Sequence, residues 1–138
     1  MIKPYLHHIL IGVNELDRSR RFYSDVLELQ EIDRPPFKFP GLWFRIGDAD
    51  QHLHIIVGCG ALQRTGRPND PEDVHFALRV GTYRETLEWL HSKGFREDLP
   101  PDHLQSLQLR PQSITGHPQI YILDPDRNII EFNCSSLD

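Results

Sequence analysis

Eight histidines in a chain of 138 residues are the first feature to explain. His8 lies in Leu6-His-His-Ile-Leu-Ile-Gly-Val13, and His75 lies in Asp73-Val-His-Phe-Ala-Leu-Arg-Val80. In each run a valine stands five residues after the histidine. His8 and His75 therefore read as equivalent positions in an internal duplication. Each half later reaches a second metal-capable residue, His54 in His52-Leu-His-Ile-Ile-Val57 and Glu131 in Asn128-Ile-Ile-Glu-Phe132. Imidazole and carboxylate ligands together suit Zn, Fe, Ni, Co or Mn. Glu131 stands out because it is set between Ile130 and Phe132. A buried carboxylate is costly unless it is paired or bound to a metal.

These residues need strands to position them. Period two along 6–13 puts His8, Leu10 and Gly12 on one face. Asp17 reads as a helix N-cap before the apolar stripe Phe22, Tyr23, Val26 and Leu27. Strands are expected over 29–33, 42–46 and 52–57. The stretch Arg34-Pro-Pro-Phe-Lys-Phe-Pro40 must be a loop, since three prolines remove backbone donors. The first module, about 5–58, is thus βαβββ. A linker rich in Gly, Pro and Asp fills 59–72. The second module, about 73–135, opens with a strand over 73–80 and a capping box at Thr82-Tyr-Arg-Glu85, with Gly94 as the helix stop. Strands over 119–123 and 128–132 flank the turn Asp124-Pro-Asp-Arg127. Residues 97–117 are long and polar, the kind of loop that often carries function.

The fold class implied is α+β: one domain over 1–138, with two βαβββ modules forming a cupped, barrel-like mixed sheet around a metal site. Arg79 shares the strand face of His75 and is a candidate clamp for a substrate carboxylate or phosphate. Trp43 and Arg45 share the face opposite Phe44 and are candidate substrate contacts. Period alone leaves open which of those two faces lines the site.

Asp and Glu outnumber Lys and Arg by 20 to 15, a net charge of −5. This opposes nucleic-acid or anionic-membrane partners, which require a basic face. No apolar run reaches the length of a membrane span. Cys59 and Cys134 lack motif spacing and the N-terminus lacks an apolar signal region, so a cytoplasmic location with free thiols is expected.

Several stretches together resemble the vicinal oxygen chelate superfamily, which includes glyoxalase I, methylmalonyl-CoA epimerase, fosfomycin-resistance proteins and extradiol dioxygenases. They are His8 in LHHILIGV, Arg21-Phe-Tyr-Ser-Asp-Val-Leu27, His54 in HLHII, His75 in VHFALRV, and Asp124-Pro-Asp-Arg-Asn-Ile-Ile-Glu131. The resemblance implies paired βαβββ modules around one divalent ion (Zn, Ni, Fe, Mn or Co), a small-molecule substrate and a homodimer. It implies His8, His54, His75 and Glu131 as metal ligands, with His54 preferred over its neighbour His52. Occupancy of all four positions points to the glyoxalase or epimerase branch, a lyase or isomerase. The alternatives are an Fe(II) dioxygenase using His8, His75 and Glu131, and a binding protein of bleomycin-resistance type, which normally lacks metal ligands. Glyoxalases usually carry glutamate at the place of His54, which leaves Glu131 as the catalytic base. They hold glutathione by side chains at the places of Gly12 and Gly58, so poor use of glutathione adducts is expected. Arg127 stands where glycine is common.

Overall fold

Two units, Met1–Gln63 and Arg64–Asp138, make up the computed structural model, which describes residues 1–58 and 64–138. Cys59 lies outside the described residues. In the first unit β1 (His8–Val13) leads to α1 (Leu16–Arg21), a π-helical turn (Phe22–Val26), β2 (Gln30–Ile32), β3 (Gly41–Arg45) and β4 (His52–Val57). The sheet order is β1-β4-β3-β2, with β1 and β4 parallel and the other pairs antiparallel.

Strand alternation sends Ile11, Val13, Leu42, Phe44, Leu53 and Ile55 into the core with Phe22, Tyr23 and Leu27. Of the apolar positions 22, 23, 26 and 27, Val26 is half-buried and the other three are buried, and the helix widens there, with Leu27 N–H donating to the Phe22 carbonyl at 3.0 Å. Asp17 is not the N-cap. Glu15 holds that position with extended backbone and no side-chain cap bond, because the helix begins within a few residues of the end of β1. Asp17 sits in the first turn, where its carboxylate takes a hydrogen bond from Arg20 at 3.1 Å.

The second unit repeats the plan. It runs β5 (His75–Thr82), α2 (Tyr83–Ser92), β6 (Gln108–Arg110), β7 (Gln119–Leu123) and β8 (Ile129–Ser136), in the order β5-β8-β7-β6. The Thr82 hydroxyl oxygen accepts the Glu85 amide at 3.2 Å and donates to the Glu85 carboxylate at 2.9 Å. The glutamate thus answers the threonine side chain rather than its backbone amide. Gly94, at φ +95°, ends α2, and the amides of Gly94 and Phe95 return to the His91 and Leu90 carbonyls. That is the paired closure for which a left-handed glycine is favoured. Leu90, Phe95, Ile120, Ile122, Ile130, Phe132 and Cys134 form the core.

The fold is α+β with two mixed sheets, as expected, and neither sheet closes into a barrel. Closure would require edge strands to pair around, and the strand order ends at the short strands β2 and β6. β6 lies inside the stretch 97–117 that reads only as loop, because three residues carry too little alternation to declare a strand. Buried Asn69 fixes this region: its side-chain amide donates to the Ser106 and Tyr121 carbonyls at 3.1 and 2.8 Å.

Gly41 is required by close approach. A Cβ there would lie 2.6 Å from the Ile55 carbonyl oxygen of β4 and 2.9 Å from the Arg34 guanidinium. Gly41→Ala is expected to destabilise the protein by about 1–3 kcal/mol, the usual range for overpacking. Denaturant unfolding checks this, and an unchanged midpoint would contradict the β3–β4 packing described.

Candidate functional site

Paired residues in a ladder place their side chains on the same sheet face, with diagonal neighbours still in reach. In the first unit His8 pairs with His52, Leu10 with His54, Trp43 with His54 and Arg45 with His52. Trp43 and Arg45 therefore share the histidine face, while Phe44 belongs to the core. His54 lies diagonally from His8, two residues beyond its register partner. The second unit has the same offset: His75 pairs with Ile129, and Glu131 lies two residues on, opposite Ala77. Tyr121 opposes Glu131 just as Trp43 opposes His54.

His54 is held in a ring stack. The Trp43 ring lies 4.0 Å from it at 2° and the His8 ring 4.2 Å at 17° on centroid separation and tilt. Only 7% of His54 is exposed. Burial lowers its pKa from 6.5 to about 4, and the neighbouring His8, His52, His7 and Arg34 add to the effect. The ring is therefore neutral at neutral pH, the form that can ligate a metal.

Glu131 is 5% exposed. Its Oε2 lies 3.0 Å from His75 Nε2, and its Oε1 accepts the Asn133 side-chain amide at 3.0 Å. His75 Nδ1 lies 2.8 Å from the Asp73 carbonyl. A carbonyl only accepts, so Nδ1 carries a proton and Nε2 is the nitrogen turned to the carboxylate. A backbone carbonyl on Nδ1 is also the usual orienting contact for a metal-binding imidazole. The start of β5 is clamped by Asp73, whose carboxylate takes Arg64 at 3.1 Å and Arg67 at 2.9 Å. Burial raises the pKa of Asp73, but the Val74 amide and Arg64 outweigh it and hold the carboxyl below its usual range. Tyr121 meets His75 edge-on at 5.4 Å, and its phenol pKa is raised by burial first and by the Glu131 charge second.

The structure thus brings His8, His54 and Trp43 together in one unit, and His75 and Glu131 together in the other. Arg45 is exposed on the histidine face. Arg79 is exposed too, and its guanidinium contacts His117 Nδ1 at 2.8 Å. Arg34 is absent from the sequence-derived site. Its guanidinium lies 4.7 Å from the Phe37 ring and 4.9 Å from the Phe39 ring, and donates to the Phe39 carbonyl at 3.0 Å. Phe37 in turn lies 6.2 Å from Trp43. The signal available was a lone arginine among prolines and phenylalanines. Arg127 has φ +67°, which explains why glycine suits that position. Its guanidinium donates to the Arg67 and Asp102 carbonyls at 2.7 and 2.8 Å, bonds that glycine could not make.

Residues 5–132 match the model of the Glyoxalase/Bleomycin resistance protein/Dioxygenase superfamily, and the chain belongs to that superfamily. Among solved structures it resembles a glyoxalase family protein from Bacillus anthracis, 22% identical with a TM-score of 0.71 over 97% of both chains. It also resembles the fosfomycin resistance protein FosX from Listeria monocytogenes, 20% identical with a TM-score of 0.67 over 99% of this chain and 97% of that one. A third neighbour is lactoylglutathione lyase from Agrobacterium tumefaciens, 18% identical with a TM-score of 0.64 over 96% and 95%. These likenesses establish the fold. A local match to TATA-box-binding protein D of Halobacterium salinarum is 39% identical over 54 residues, which is 39% of this chain and 28% of that protein. The matched stretch is thus less than a third of that relative. Among the described residues, no helix is long and apolar enough to cross a membrane.

The depressed pKa of His54 makes metal-free stability depend on pH. The unfolded chain takes up a proton at this residue near pH 6.5, and the folded chain only near 4. Its contribution is therefore complete above 6.5 and lost as pH falls toward 4, by up to about 3 kcal/mol. Chelator-treated protein unfolded in denaturant at pH 4.5 and 7 should show this loss, and His54→Gln should reduce it. An equal slope in the variant would contradict the assignment.

Proposed function

We propose that this chain is a divalent-metal enzyme of glyoxalase type, a lyase or isomerase, acting on a small oxygen-chelating substrate without glutathione. In this proposal His8, His54, His75 and Glu131 hold one Zn, Ni, Fe, Mn or Co ion, and the two units work as one domain in a cytoplasmic homodimer. The observation that carries the reading is the buried Glu131 carboxylate facing a histidine whose Nδ1 is already committed to a backbone carbonyl. A buried acid in an apolar strand is retained at a cost in stability, which function would explain.

The donor set fits such an ion. His54 is neutral, His75 presents Nε2, and Glu131 supplies a carboxylate. A bound divalent ion would supply Lewis acidity toward an enolate or oxyanion. Glu131 is the group that moves a proton next to a substrate carbonyl, since no second carboxylate occupies the place of His54. Asn133 holds its Oε1 and fixes the plane of the carboxylate. Tyr121, with its raised pKa, stays a protonated phenol beside the acid. Trp43, Phe37 and Phe39 offer apolar wall. Arg79, Arg45 and Arg34 offer positive charge to an anionic substrate end. Gly12 and Gly58 have no side chain with which to hold a glutathione carboxylate.

The stacking of His54 between Trp43 and His8 favours one second reading. If packing alone explains His54, then His8, His75 and Glu131 remain as a two-histidine, one-carboxylate set suited to Fe(II) dioxygenase chemistry.

Elemental analysis after gel filtration should find at least one retained divalent ion per chain, and about one fewer in His75→Ala and in Glu131→Gln. Full retention in both variants would overturn the site. Tightly held iron with oxygen uptake would select the dioxygenase reading. A robust lactoylglutathione yield from methylglyoxal and glutathione would overturn glutathione independence.

A further inference from the structure

A second group of metal-capable side chains lies on the first unit, beside His8 and His54 but made of other residues. His52 Nε2 is 2.9 Å from Asp50 Oδ1, and His7 Nε2 is 3.5 Å from Asp50 Oδ2. The ligand atoms of His7, Asp50 and His52 all lie within 4.8 Å of one another. We infer that these three residues form an outer site for a divalent transition-metal ion of the Zn, Ni or Co kind.

Two imidazoles and a carboxylate are the donor types such ions prefer. Zinc–ligand bonds of roughly 2.0–2.1 Å set tetrahedral ligand atoms roughly 3.3 Å apart, so modest ring rotations would close the set. The backbone holds the three residues in place. The His52 amide donates to the His7 carbonyl at 3.0 Å, and the Ile46 amide donates to the Gln51 carbonyl at 2.8 Å across the turn that carries Asp50. The Gln51 side chain donates to the Leu6 carbonyl at 2.9 Å. The Asp50 and His7 side chains are 72% and 46% exposed, so an ion and its remaining waters can reach the site from solvent.

An ordinary surface ion pair needs only one imidazole per carboxylate and contributes little. Here each oxygen of Asp50 faces a separate Nε2, and each histidine turns its Nδ1 onto another histidine. His7 Nδ1 lies 2.9 Å from His8 Nδ1, and His52 Nδ1 lies 3.5 Å from His54 Nε2. These Nδ1 contacts leave the Nε2 atoms of both rings turned toward Asp50.

Chelator-stripped protein should be titrated with Zn²⁺ alone by calorimetry, with imidazole ¹⁵N spectra recorded in parallel. The outer site adds one equivalent that shifts His7 and His52 to coordinated values. Asp50→Asn and His7→Gln, both at exposed positions, should weaken that equivalent tenfold or more and leave the melting temperature unchanged. Zn²⁺ affinity within twofold of wild type in both variants would overturn the proposal, as would unmoved His7 and His52 resonances. Loss of the equivalent that depends on His75 and Glu131, with the Asp50-dependent one intact, would count against the proposed function alone.

Discussion

Parallel pairing of the first and last strand of each unit is the constraint on which the rest depends. Parallel neighbours cannot be joined by a tight turn. The helix and two middle strands of each unit therefore serve as the crossover between them. That arrangement brings residue 8 beside residue 54, and residue 75 beside residue 131, across long stretches of chain. The same two-residue offset recurs in both units, so the duplication extends to register as well as to order. It also distinguishes His54 from His52: His54 stands where Glu131 stands in the other half, and His52 stands where Ile129 does.

The two faces of each sheet divide the labour. Inner faces carry Ile, Leu, Val and Phe against the helix and supply the burial that stabilises each unit. Opposite faces carry imidazoles, carboxylate and aromatic rings. Polar groups survive there because each has a partner: His54 lies between two rings, and Glu131 has His75 and Asn133. The aromatic residues Trp43 and Tyr121 occupy matching places and limit water around the residue opposite each.

Much of this was legible in the sequence because strand alternation is a strong signal when apolar runs are short and bounded by turns. The runs at 6–13 and 73–80 announced the repeat, and Glu131 between Ile130 and Phe132 announced a buried acid. Short or tertiary-dictated features were not legible. β6 is three residues long, and the helix after β1 starts without the cap that Asp17 suggested. Which face Trp43 occupied required the register with β4. Arg34 joined the site only through the folding of a proline-rich loop, which no periodicity describes. Arg127 shows the reverse case, where a departure from the usual glycine was visible and its backbone cause was not.

In the function proposed above, His8, His54, His75 and Glu131 hold one metal ion. X-ray absorption on Asp50→Asn protein loaded with one equivalent of Zn²⁺ tests it most directly. The account predicts a first shell of three imidazole nitrogens and carboxylate oxygen, losing one imidazole in His54→Gln and the carboxylate in Glu131→Gln. A shell that is unchanged by both substitutions would contradict it.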